Sequence, residues 1–285
     1  MKDEIFTERA YAKVNLTLDV LKKRPDGYHE LEGIMQSISL FDEVEARPSG
    51  VISVSFDAPV PENNTCKKAA ELFLAGTDLG AEIYVKKHIP SEAGLGGASA
   101  DAAAVLRALN RMFAGTPLER NESELYGIGL NVGADVPFCL MGGCAVARGV
   151  GEILTPVDGM ELDLLIVKGS RGVSTGKLFA SLGIGGEEKS RLPEKNLGNA
   201  LAAIEENDAR ALGAYLNNAL TPAACLFAPE IGGLILRMKA LGALGASMTG
   251  SGAAVFGIFP DAASAERAYG GFADCDFRAV LKTVI

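Results

Sequence analysis

The chain has no tryptophan, two histidines and five cysteines in 285 residues. With only His29 and His88 available, a metal centre built on imidazole or a Ser-His-Asp triad has little to draw on. Cys66, Cys139, Cys144, Cys225 and Cys275 form no C-x-x-C pair, and their number is odd. Free thiols are expected, not disulfides or a zinc site. No run of 18 apolar residues occurs, so no helical membrane span is expected. The start, M-K-D-E-I-F-T-E-R, carries acids and no apolar core. It does not read as a secretory signal, and a cytoplasmic location is expected. Basic residues are also short: 27 Lys and Arg stand against 36 Asp and Glu, a net charge of −9. Such a balance disfavours nucleic acid as a polymeric partner, because a duplex needs a basic face.

Apolar residues make up 48% of the chain, enough for a real core. The length allows one large domain or two moderate ones. Val14, Leu16, Leu18 and Val20 alternate with Lys13, Asn15, Thr17 and Asp19, which predicts a strand with one polar face. Pro25-Asp26-Gly27 then supplies a turn. Further strands are expected at Val51–Phe56, Ala81–Ile89 and Asp163–Lys168, with a hairpin around Gly149–Gly151. Asn121 followed by Glu124 resembles a capping box that opens a helix. Helical patterns run over Ala102–Phe113, Asn199–Glu206, Asp208–Leu220, Ile231–Leu241 and Ala262–Phe272. Strands at Ala253–Phe259 and Phe277–Val284 flank the last of these. The stretch Gly183–Lys195 reads as a surface loop. Loosely alternating strands and helices with early antiparallel hairpins argue for an α+β protein of two domains, divided near residue 158.

The most informative stretch is P-S-E-A-G-L-G-G-A-S-A-D at Pro90–Asp101. It joins a strand-like run to an Ala- and Leu-rich helical one. Strand, glycine-rich loop and helix present backbone N–H groups and a positive dipole end to an anion. Glycine lets that backbone approach a phosphate closely. The P-loop grammar fails, because no Lys and hydroxyl follow the glycines. The dinucleotide fingerprint fails at Ser99, where it needs glycine. The other reading is a glycine-rich turn that merely lets helix and sheet pack.

Three more features stand beside the loop. Lys13 and Asn15 point the same way from the first strand. Asp135 lies in a turn bounded by Gly133 and Pro137. The second glycine-rich turn, Thr249-Gly250-Ser251-Gly252, enters a strand instead of leaving one, so it is not a Rossmann turn. Each alone has an ordinary structural reading, and together they do not.

A-K-V-N-L-x-L at Ala12–Leu18, P-x-x-x-G-L-G-G-x-S at Pro90–Ser99 and S-M-T-G-S-G-A-A-V-F at Ser247–Phe256 resemble the three motifs of one superfamily. It is that of galactokinase, homoserine kinase, mevalonate kinase and phosphomevalonate kinase (GHMP). R-P-D-G-Y-H-E-L at Arg24–Leu31 and G-A-D-V-P-F at Gly133–Phe138 resemble a branch whose substrate bears cytidine diphosphate. The loop departs from the family's G-L-G-G-G-S-S in having Ala98 and Ala100.

The resemblance implies an N-terminal domain (1–158) like the ribosomal S5 second domain, carrying the ATP loop, and a ferredoxin-like C-terminal domain (159–285). It implies an ATP-dependent kinase that phosphorylates an alcohol on a cytidyl diphosphate sugar alcohol, in isoprenoid precursor synthesis. The alternatives are a mevalonate- or homoserine-type kinase, or a nucleotide sensor without catalysis. Lys13 and Asp135 would be the catalytic pair. Pro90, Ser91, Glu92, Ala93, Gly94, Leu95, Gly96, Gly97, Ala98, Ser99 and Ala100 would hold ATP. Asn15, Tyr28, His29 and Thr175 would hold the substrate, and Thr249, Gly250, Ser251 and Gly252 form the third motif. Mg²⁺ is expected with the phosphates. The sequence indicates neither its ligands nor an oligomeric state.

Overall fold

The alternation at Lys13–Val20 belongs to a long strand, β1 (Phe6–Lys23), in the computed structural model. The structure describes residues 4–59, 63–182 and 195–285. A tight turn follows β1: Arg24 N–H donates to Tyr28 O (2.7 Å), Gly27 N–H to Arg24 O (3.0 Å) and Tyr28 N–H to Asp26 Oδ1 (3.1 Å). The chain returns as β2 (His29–Ser49). This strand has no clean alternation in sequence. Gly33 explains part of its placement, since a Cβ there would lie 2.2 Å from Thr17 O. The chain divides into two compact units. The first takes residues up to Ala12, with Leu40–Ile89 and Gly96–Gly142. The second takes Lys13–Ser39, Pro90–Leu95 and Gly143–Ile285.

In the first unit, β3 (Ser53–Phe56) pairs in parallel with β4 (Gly80–Lys86), and β4 pairs antiparallel with the distal part of β2, Glu43 opposite Lys86. Four helices accompany them: α1 (Thr65–Phe73), α2 (Gly97–Met112), α3 (Glu122–Val132) and α4 (Val136–Met141). The predicted capping box opens α3, with Glu124 N–H donating to Asn121 Oδ1 (3.0 Å) and Asn121 N–H to Glu124 Oε2 (2.9 Å). The run Ala102–Ala104 in α2 is fully buried, and its small side chains allow neighbouring helices to approach. Near the start of α2, the Lys87 ammonium bridges the buried carboxylates of Asp42 and Asp101. Asp42 also accepts the N–H groups of His88 and, at 2.8 Å, Ile89. This cluster fixes the chain where β4 gives way to the glycine-rich loop.

In the second unit, the proximal part of β2 pairs with β5 (Cys144–Gly149), and β5 with β6 (Ile153–Val157), the hairpin expected around Gly149–Gly151. A separate antiparallel sheet runs β11 (Phe277–Lys282), β7 (Asp163–Lys168), β10 (Val255–Phe259), β9 (Gly245–Met248). Helices α9 (Glu230–Ala240) and α10 (Ala262–Tyr269) pack on it around Leu165, Val167, Ile231, Met238, Val255 and Phe259. The unit also contains α5 (Thr175–Ser181), α6 (Lys195–Glu205), α7 (Ala209–Tyr215) and α8 (Thr221–Phe227). The surface loop expected at Gly183–Lys195 lies outside the described residues, except Lys195, which opens α6.

One expectation fails clearly. Asp208–Leu220 is not a single helix: α7 stops at Tyr215, and Asn217–Asn218 form β8, parallel to β1 with Leu18 opposite Asn218. Ala219 N–H donates to Leu18 O at 2.8 Å. Tertiary hydrogen bonds available only to an extended segment outweigh the helical propensity. The whole is α+β with two sheets, as expected. All five cysteines are free thiols. Among the described residues, no helix is long and apolar enough to cross a membrane.

The ion cluster yields a pH prediction. Burial raises the Asp101 carboxyl to about 7; the Lys87 ammonium opposes this and the Asp42 carboxylate adds to it. Its Oδ1 is buried without a hydrogen-bond partner. In the unfolded chain the group returns to about 3.9. The folded state then binds more protons at this group between these values, so its contribution to stability is full below about 4 and falls as pH rises through about 7. Urea unfolding at pH 4.5, 5.5 and 7 should show this decline, and Asp101→Asn should flatten it. A slope unchanged by Asp101→Asn contradicts the assignment.

Candidate active site

Strand geometry puts Lys13 and Asn15 on one face of β1, and both are at most 4% exposed. The Lys13 ammonium donates to Asn15 Oδ1 at 2.7 Å. The same oxygen accepts Gly250 N–H at 3.1 Å. Asn15 N–H donates to Thr249 Oγ1 at 3.0 Å, and that hydroxyl donates to Gly94 O at 3.3 Å. Lys13 N–H donates to Leu95 O at 3.0 Å. The three sequence motifs thus meet at one hydrogen-bonded node. A buried ammonium needs partners to offset lost hydration, and Asn15 Oδ1 is one of them.

The glycines are dictated by this meeting. Gly94 has φ +73°, and a Cβ there would fall 2.1 Å from Thr249 O. A Cβ on Gly250 would fall 2.6 Å from Gly94 O. The loop is further tied to the strand that follows the third motif: Ala253 N–H donates to Glu92 O and Ala254 N–H to Ala93 O, each at 3.1 Å. The Glu92 carboxyl lies over Gly172, so close that a Cβ there would be 2.0 Å from Oε2.

From Leu95 the chain passes into the first unit, where Gly96 caps α2 in a left-handed conformation without a side-chain cap. Ser99 N–H and Ala100 N–H bond back to Gly96 O at 3.0 and 2.9 Å. Gly97 and Ala98 stand at the open, positive end of the helix, the arrangement suited to an anion. Ala98 and Ala100 keep this backbone geometry without the family's usual residues. Ser99 Oγ lies 4.0 Å from the Cβ position of Gly133, so the start of α2 adjoins the Gly133–Asp135 turn. Asp135 is the first residue before α4 and does not cap it with its side chain. Thr65, unremarked in sequence, donates its hydroxyl to Ala98 O at 2.7 Å.

The remaining expected residues belong to the second unit. Thr175 opens α5, with its hydroxyl 2.6 Å from Ser251 Oγ of the third motif. Tyr28 lies in the turn joining β1 and β2 and is 62% exposed. His29 is buried and packs against Phe179, with ring centroids 5.2 Å apart and the planes tilted by 32°. Burial, reinforced by the Lys23 charge, lowers the His29 pKa and favours the neutral imidazole. Its Nε2 is buried without a hydrogen-bond partner. A buried unpaired nitrogen is costly and suits a site completed by a ligand. Phe179 had one signal in sequence: it lies four residues beyond Thr175, on the same side of a helix. Asn218 had none, since its stretch reads as helix.

Comparison with known proteins identifies the family. The family described as GHMP kinases N terminal domain matches residues 64–143, and GHMP kinases C terminal matches 200–274. The chain is 44% identical over 272 residues to a 4-diphosphocytidyl-2-C-methyl-D-erythritol kinase of Pelotomaculum thermopropionicum, covering 92% of each. It is 39% identical over 270 residues to the like-named protein of Alkaliphilus metalliredigens, covering 92% of this chain and 90% of that one. A crystal structure of 4-(cytidine 5'-diphospho)-2C-methyl-D-erythritol kinase superposes with TM-score 0.79 at 32% identity, covering 97% and 98% of the two chains. A homoserine kinase from Cytophaga hutchinsonii shares the fold, with TM-score 0.76 at 20% identity, covering 100% of this chain and 96% of that one.

Gly94→Ala should weaken binding of a non-hydrolysable ATP analogue at least about tenfold, because its Cβ has no room and αL costs an alanine about 1–2 kcal/mol. Gly115→Ala is the control, with φ +74° and open space around it. Its ATP affinity should stay within about twofold, as only the backbone cost applies. Calorimetric titration of both folded variants decides the point. Unchanged affinity in Gly94→Ala would place the phosphates elsewhere.

Proposed function

From the premise that the chain belongs to the GHMP kinases, we propose that it phosphorylates the 2-hydroxyl of 4-diphosphocytidyl-2-C-methyl-D-erythritol with ATP, a step in the non-mevalonate route to isoprenoid precursors. The observation that carries the reading is the buried Lys13 ammonium, held by Asn15 where the glycine-rich loop and the third motif meet. The named relatives, at 36% identity or more over most of the chain, select this substrate over mevalonate or homoserine. Our reading divides the two family domains near residue 158, after β6 and before β7.

Phosphoryl transfer needs positioning and charge stabilisation more than covalent chemistry. The backbone of Pro90–Ala100 and the α2 dipole hold the ATP phosphates. Lys13 neutralises charge on the transferring group. The substrate oxygen bonds to the γ-phosphorus as the bond to the β–γ bridging oxygen breaks, releasing ADP. Asp135 orients the hydroxyl and takes its proton. Among the described residues no cluster of three or more His, Cys, Asp or Glu stands ready for a metal ion. That donor set fits Mg²⁺ held mainly by phosphates and water, where it would neutralise phosphate charge. Ser99, in the first turn of α2, carries a hydroxyl that could assist. Tyr28 stacks on the pyrimidine, the neutral His29 pairs its free Nε2 with the base edge, and Thr175 closes the substrate side.

ADP release tests the reaction: wild type should turn over the cytidyl alcohol and not mevalonate or homoserine at equal concentration. Turnover of either of those alone rejects the assignment. Asp135→Asn should lose about 10²–10⁴-fold in kcat with little change in KM. Near-wild-type turnover in that variant removes Asp135 from the chemistry.

Tyr28→Ala and His29→Ala should each raise KM for the cytidyl substrate, by losses of about 1–3 kcal/mol. The KM for ATP should stay the same. A shift in the ATP value alone would move these residues to the nucleotide triphosphate side.

A further inference from the structure

Asn218 is buried, at 7% exposed, on a strand of only two residues. Its side chain makes three hydrogen bonds. Nδ2 donates to Met248 O at 2.9 Å and to Gly250 O at 2.8 Å, and Oδ1 accepts Leu220 N–H at 2.9 Å. Both amide hydrogens are used, and both go to the turn that carries the third motif. The strand itself is anchored to β1 by Leu18 opposite Asn218 and by Ala219 N–H donating to Leu18 O. Gly250, held at its carbonyl by Asn218, donates its N–H to Asn15 Oδ1, which accepts the Lys13 ammonium. Thr249, between the two clamped carbonyls, bonds to Asn15 N–H and Gly94 O.

We infer that Asn218 is a positioning residue: it fixes the Thr249–Gly250 turn and, through Asn15, sets the place of the Lys13 ammonium. The inference rests on the reading of Lys13 as the cation that meets the transferred phosphoryl group. The physical reason is that two carbonyls of the third-motif turn and the Leu220 N–H beside β8 must hold fixed directions at once. A carboxamide is the side chain that donates twice and accepts once in a single plane. Without it, the buried Gly250 O loses the amide donor, Met248 O keeps the Ser247 hydroxyl at 3.3 Å, and the turn relaxes towards other partners. Gly250 N–H then leaves Asn15, and Lys13 loses the geometry that makes its charge effective.

A double-mutant cycle separates this role from a general loss of stability. Asn218→Ala should lower kcat about tenfold, with KM for both substrates within about twofold. In a Lys13→Ala background the same substitution should change kcat less than about twofold, because the group it positions is gone. Equal losses in both backgrounds, or a change confined to KM, would overturn the inference. Hydrogen exchange gives a readout without turnover: the Gly250 and Asn15 amides should exchange faster in Asn218→Ala at near-wild-type Tm. Wild-type protection of both amides would overturn it as well. If wild type fails to phosphorylate the cytidyl alcohol, the substrate assignment falls, and the exchange result still decides the role of Asn218.

Discussion

Asn15 Oδ1 accepts the Lys13 ammonium at 2.7 Å and Gly250 N–H at 3.1 Å, and the arrangement of the three motifs follows from that shared acceptor. A hydrogen bond to a charged group contributes about 1.5–3 kcal/mol, and an unpaired buried donor costs about 1–3 kcal/mol. The ammonium is therefore held in place before any ligand arrives. Preorganised charge of this kind needs no reorganisation during reaction. Gly94 and Gly250 serve the same end, because only glycine allows two backbones to meet this closely.

Different parts of the chain are held by different means. The second unit fixes its loop by backbone contacts to Ala253 and Ala254 and by the Thr249 hydroxyl. The first unit fixes the segment before the loop with a buried ion cluster, in which two carboxylates share the Lys87 ammonium. Such clusters are costly to assemble, and removing one partner is more costly still. Their geometry is strongly directional, which suits a segment that must deliver the glycine-rich loop in one conformation.

Much of this was legible in the sequence, for physical reasons that differ by residue. Lys13 and Asn15 stood out because strand alternation places them on one face. Gly94, Gly96 and Gly250 stood out because glycines clustered at element boundaries mark close backbone approach, and all three have positive φ. The Asn121 capping box was local chemistry and formed as read. What escaped was set by distant partners. Asn217 and Asn218 sit in a helical pattern, and only the edge of β1 and the third-motif turn make them a strand. Strand β2 lacks alternation because Gly33 and its polar neighbours answer to β1 and β5. His29 was singled out by motif, but its packing against Phe179 and its unpaired Nε2 needed coordinates.

A crystal structure with a non-hydrolysable ATP analogue and the cytidyl alcohol tests the central claim most directly. The account predicts phosphates along the backbone of Pro90–Ala100, with the Lys13 ammonium still on Asn15 and within hydrogen-bond reach of the γ-phosphate. Phosphates bound away from that loop, or a Lys13 side chain released from Asn15 and turned from the γ-phosphate, would contradict it.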